Sequence, residues 1–164
     1  MLDLFFLKKQ GSINMRKSYL IGVGLVVLAG CQSLDTNPYK QGYKNLTVEK
    51  DERGAYWEAK KRVNPSYPRE AVRLSKNGCV QMVVSINAEG KADGYQIKNS
   101  YPEDLFVDSM VNAIAKWEWA PAGHNTEKMP AVQSVYFEFK FEREGKEAKN
   151  IAEAKAACEK IAIS

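Results

Sequence analysis

Two stretches of period-two alternation, with one helical stripe between them, constrain this chain more than anything else in it. Val80, Met82, Val84 and Ile86 alternate with Gln81, Val83 and Ser85, the mark of a half-buried strand. Val135, Phe137, Phe139 and Phe141 alternate in the same way with Tyr136, Glu138 and Lys140. Between them Phe106, Met110, Ala113, Ile114 and Trp117 recur at i, i+4, i+7, i+8 and i+11, which is one face of a helix. Asn87-Ala88-Glu89-Gly90 offers a hairpin turn with glycine free to take a positive φ, and a return strand follows over 91–99 with Tyr95 and Ile97 on its apolar face.

The punctuation agrees with the periods. In Asn64-Pro65-Ser66-Tyr67-Pro68 each proline pushes its predecessor toward an extended conformation. Pro68 itself suits the first turn of a helix over 69–76, which Asn77-Gly78 ends. Pro102-Glu103-Asp104 places helix-entry residues and negative charge at the start of the second helix. The expected fold is α+β: two helices packed on a small three-stranded antiparallel sheet.

Tyr67-Pro68, the strand led by Gly78, the turn at Gly90, the helix closed by Trp117-Glu118-Trp119-Ala120-Pro121 and the aromatic strand ending at Phe141 occur in that order. In order and spacing this block resembles the C-terminal domain of the TonB family, over about half of the 164 residues. The resemblance makes Tyr67, Pro68, Gly78, Gly90, Trp117, Trp119 and Pro121 fold markers, and we take 57–143 as the domain. It also implies a docking function, in which a sheet edge pairs with a short extended segment of an outer-membrane transporter. Edge main-chain groups would supply affinity and side-chain pockets selectivity. The implied edge lies near residues 132–141, with Val132, Ser134, Tyr136, Glu138 and Lys140 as the candidate docking residues.

Ahead of the block, Arg16-Lys17 precedes an apolar run of 12 residues, 19–30, ending in Leu28-Ala29-Gly30-Cys31. A basic start, an apolar centre and small residues before the cut make a secretory signal over 1–30. Leu-Ala-Gly-Cys resembles the bacterial lipobox, which makes Cys31 the lipid-attachment site. The run is well short of the ~20 residues that span a bilayer. Met15 stands where such a signal normally begins, so Met1 and Met15 are both candidate starts and 1–14 reads as a start-site extension. Gln32 is not the aspartate that retains lipoproteins at the inner membrane, so the expected location is the outer membrane, facing the periplasm. Residues 31–56 show no strong periodicity and read as a flexible tether.

Without residues 1–31 the chain keeps 20 basic and 19 acidic residues, a net charge of +1. Interleaved lysines and glutamates of this kind form an ordinary solvated surface, so no nucleic-acid partner is expected. Two parts of the family pattern are missing from this sequence: a spanning helix to couple to a motor, and a long proline-rich arm. Energy transduction is therefore not expected. The other reading is a structural lipoprotein that assembles or stabilises an envelope complex.

Beyond the block, Ile151, Ala154, Cys158 and Ile161 fall at i, i+3, i+7 and i+10. They predict an added amphipathic helix within 144–164. With Cys31 set aside, Cys79 and Cys158 remain as an even pair in an oxidising compartment. Cys79 shares its strand face with Gln81, Val83 and Ser85, opposite the apolar face. A Cys79–Cys158 disulfide would hold the added helix over that far side; the alternative is two separately buried thiols. No catalytic constellation, metal spacing, phosphate loop or cofactor motif stands out, and His124 is a lone histidine in the polar loop 122–128. The expectation is a binding module with no enzyme activity, no cofactor and no small-molecule substrate.

Overall fold

The computed structural model describes residues 34–47 and 56–163. The signal over 1–30 and the lipid site Cys31 lie outside these residues. In chain order the elements are β1 (Lys44–Asn45), β2 (Trp57–Lys61), α1 (Arg69–Leu74), β3 (Gly78–Ile86), β4 (Ala92–Tyr101), α2 (Val107–Ile114), β5 (Glu118–Pro121), β6 (Ala131–Phe139) and α3 (Ile151–Ile163).

The main sheet runs β1-β6-β3-β4. Its three long strands are antiparallel as expected, but it is not a three-stranded antiparallel sheet. β1 joins β6 in parallel, which makes the sheet four-stranded and mixed. A second sheet pairs β2 with β5, Trp57 opposite Pro121 and Ala59 opposite Trp119. The alternation of Trp117 and Trp119 is thus the entry to a strand as well as the end of a helix.

One face of β3 carries Val80, Met82, Val84 and Ile86, all fully buried. They form the core with Ala71 of α1, Phe106, Met110 and Ile114 of α2 and its entry, and Trp57, Trp117 and Trp119. Phe106 stacks on Phe139 with ring centres 4.4 Å apart. The family markers hold this layer together. Tyr67 donates its hydroxyl to the Lys76 carbonyl and sets its ring edge-on to Phe106 and Phe139. Pro68 precedes α1 and accepts from the Val72 amide at 3.0 Å. Gly78 is bare because a Cβ there would run into the Tyr101 carbonyl and the Phe106 ring. Gly90 takes φ +71° against the Trp119 carbonyl, a left-handed conformation that favours glycine.

The opposite face carries Cys79, and here the added helix sits: the sulfurs of Cys79 and Cys158 are bonded, with Cα atoms 5.8 Å apart. Two asparagines fix the helix start. Asn150 accepts from the Asn77 amide at 2.8 Å and donates to the Asn77 carbonyl at 3.0 Å, while Asn77 accepts from the Phe141 amide at 2.7 Å.

The segment read as a flexible tether is in part folded. Leu46 is fully buried in the core, and Asp93 ties residues 40–43 down by accepting from Tyr43 at 2.6 Å and from Lys40 at 3.0 Å. Buried apolar area and main-chain pairing offset the ordering entropy here, which composition alone does not reveal.

Candidate functional site

A sheet offers unpaired main-chain groups only at its edges, so the two edges of the main sheet decide what it can bind. The β4 edge is a poor template. Its register with β3 slips between Gln81 and Met82 and again between Ser85 and Ile86. Bulges of this kind bend a strand away from pairing. The chain also covers this edge, for the Tyr95 amide donates to the Asp35 carbonyl at 2.8 Å. Behind that contact, burial alone would raise the Asp93 carboxyl. Hydrogen bonds from Ser85, Tyr43 and Lys40 outweigh it and hold the group below the usual carboxylate range.

The β6 edge is regular. Its register with β3 runs unbroken from Gly78 opposite Phe139 to Ile86 opposite Ala131. At its start, the Lys44 amide donates to the Pro130 carbonyl at 2.9 Å and the Leu46 amide to the Val132 carbonyl at 2.7 Å. Residues 130 and 132 therefore turn their main-chain groups outward. Because these groups alternate along a strand, Ser134, Tyr136 and Glu138 turn theirs outward too. β1 pairs only with Ala131 and Val132, so among the described residues these three face no neighbouring strand.

Of the candidate residues, Val132 already has its carbonyl occupied and 1% exposure, so it ends the open edge and does not form part of it. Lys140 follows the last residue of the strand, its ammonium 3.6 Å from Glu138.

Two depressions flank the open edge. A groove of about 740 Å³ lies toward α3, between Tyr136, Glu138 and Lys140 on one side and Ile151, Lys155 and Cys158 on the other. The Tyr136 hydroxyl reaches the Cys158 carbonyl at 3.4 Å across it. Burial, then the nearby Glu138 carboxylate, raises the Tyr136 hydroxyl above its usual value. A smaller depression of about 310 Å³ lies toward β2, where Glu58, Arg62 and Trp117 meet Ser134 and Val135. A row of outward main-chain donors and acceptors, facing no strand among the described residues and with a recess on either side, can pair with one extended strand and receive its alternate side chains.

His124 is exposed in the loop between β5 and β6. Among the described residues no cluster of side chains has the makings of a metal site, and no helix is long and apolar enough to cross a membrane. The outward set on β6 follows from strand parity, which sequence reasoning can reach. The wall toward β2 does not, because β2 comes from a distant segment, whereas the wall at α3 follows from the Cys79–Cys158 pairing expected from the sequence.

Residues 63–141 match the family model described as Gram-negative bacterial TonB protein C-terminal. The TonB protein of Klebsiella aerogenes is 33% identical over 61 residues, covering 37% of this chain and 25% of that protein. That of Pseudomonas aeruginosa is 29% identical over 79 residues, covering 48% and 23%. The solution structure of the Pseudomonas aeruginosa TonB C-terminal domain superposes with a TM-score of 0.50 at 25% identity, covering 56% of this chain and 92% of that one. The chain spans about a quarter of the length of the curated relatives it matches.

Proposed function

We propose, from the premise that residues 63–141 of this chain are a TonB C-terminal domain, that the protein is a docking module of the cell envelope. It binds an outer-membrane transporter from the periplasmic side and takes part in TonB-dependent uptake. The guest is a short extended segment that adds to the sheet along β6, and the partner surface is main chain rather than a reaction centre. The observation that carries this reading is the contrast between the two edges. β6 keeps an unbroken register and outward groups at Ser134, Tyr136 and Glu138, while β4 is bulged and covered at Tyr95.

The reading places a lipid on Cys31 and the module on the outer membrane. A lipid holds a chain to a bilayer without spanning it. This part rests on Leu28-Ala29-Gly30-Cys31 in the sequence. Motor-driven energy transduction is no part of the proposal. Neither catalysis nor a cofactor is invoked.

Crosslinking in living cells, followed by purification of the lipoprotein, tests this directly. Recovery of a TonB-dependent transporter is the expected result. Recovery of assembly or cell-wall components alone would replace it with a structural envelope role.

A further inference from the structure

The geometry points to α3 as a selectivity wall for the docking edge: the guest is an extended peptide with apolar side chains at alternate positions, seated in the groove between β6 and α3. This rests on the reading of β6 as the docking edge and adds the chemistry of what docks there.

α3 begins at Ile151, beyond the family match at 141, so this wall is an addition to the domain. Its position is fixed at two places, by the Cys79–Cys158 bond in its third turn and by the Asn77–Asn150 exchange at its start. Both fixings lead to β3 and its entry, one strand in from the edge. The helix flank thus faces β6 across a groove of about 740 Å³, which the Tyr136 side chain crosses at one point.

The lining tells what the groove accepts. Ile151 is 51% exposed and Tyr136 37%, two of only four large hydrophobic side chains so exposed among the described residues, and both line it. Ala148 and Ala162 add small apolar surface. The charged groups that line it are of both signs, four glutamates, Glu138 and Glu159 among them, against three lysines, so no single charge on a guest is strongly favoured. A strand added at β6 lies about 4.8 Å outward in the plane of the sheet and points every second side chain to the α3 face. Such side chains recur about every 6.6 Å along the guest, so the run from Ser134 to Lys140 presents the groove with about three. Their burial against Tyr136 and Ile151 is favourable only if they are apolar.

The test uses the full, oxidised chain and two nine-residue peptides of one composition, containing four valines with serine and lysine. In one the valines alternate; in its isomer they stand in adjacent pairs. The alternating peptide is expected to bind roughly tenfold or more tightly, the worth of burying even one further valine. Ile151→Asp should weaken the alternating peptide more than the isomer, and so reduce that preference at least severalfold. Ile151 is half exposed, so the melting temperature should hold; if it falls, Ile151→Ser makes the same test. Ser134→Pro deletes an outward amide and should weaken both peptides. Equal binding of the two peptides, with both weakened by Ser134→Pro, would overturn the wall and leave the docking edge standing. Indifference of both peptides to Ser134→Pro would overturn the edge as well. A chain that ignores both peptides but forms a dimer broken by Ser134→Pro would make a second copy the occupant and overturn the proposal.

Discussion

The Leu46 amide donates to the Val132 carbonyl at 2.7 Å, and the Leu46 side chain is fully buried under the same strand end. One residue thus closes the first part of the β6 edge and anchors the incoming chain to the core. Among the described residues, the edge without a neighbouring strand is the part beyond it. A guest can pair from Ser134 onward, and not upstream.

Truncating that anchor should be costly although it lies outside residues 63–141. Leu46→Ala leaves a cavity in the core and should lower stability by about 2–5 kcal/mol. Urea denaturation measures it. A change below about 0.5 kcal/mol, the range of surface substitutions, would mean that segment 34–47 does not pack as described.

The covalent tie between Cys79 and Cys158 closes a loop of 79 residues. In the chain-entropy account, replacing both cysteines with serine should cost about 4 kcal/mol. Denaturation midpoints with and without reductant should separate for the native chain and coincide for the double variant. Intact mass of the oxidised chain should show two hydrogens fewer than the reduced form.

Acid should erase the advantage that Asp93 confers. Its carboxyl is held below its ordinary value, so the stabilisation is present above about pH 4 and is lost as pH falls through the folded-state value. Asp93→Asn should therefore lower stability by roughly 1–3 kcal/mol near neutrality, through the weakened bonds to Ser85, Tyr43 and Lys40. The gap between native and variant should narrow as the pH drops below about 4. Equal gaps at both ends of the titration would contradict this assignment.

Gly78 meets the Tyr101 carbonyl and the Phe106 ring so closely that even one methyl has no room. Gly78→Ala should cost about 1–3 kcal/mol or more, through displacement of Phe106 from its stack on Phe139. A near-ultraviolet circular dichroism change together with a lower melting temperature is the expected outcome. An unchanged spectrum with full stability would count against the packing of the marker residues.

How much of this was legible in the sequence depends on whether a residue's role is local. β3 and β6 are readable because their apolar residues recur at every second position, but β3 is buried on both faces rather than half-buried, Val83 and Ser85 included. Parity on β3 likewise puts Cys79 on the face that α3 covers. β1 has two residues, Lys44 and Asn45, and its pairing is decided by Leu46 entering a core built elsewhere. No period can show that. β2 buries only Trp57 among five residues and otherwise reads as polar surface. Its partner β5 begins right after Trp117, which the helical stripe also claims. At the docking edge, alternation picks out Ser134, Tyr136 and Glu138 together with Val132. What it cannot tell is that Val132 is already paired, since the pairing chain is the one read as a tether. Asn150 escapes notice because a lone asparagine ahead of a helix looks like an ordinary cap, and its partner Asn77 is 73 residues away.

Amide hydrogen exchange along β6 in the unliganded chain bears most directly on the claim that this strand is an open docking edge. The amides of Val135 and Phe137, which point toward β3, should be strongly protected, and those of Ser134, Tyr136 and Glu138 should exchange rapidly. Protection of both sets to the same degree would show that the edge is already paired, and would contradict the account.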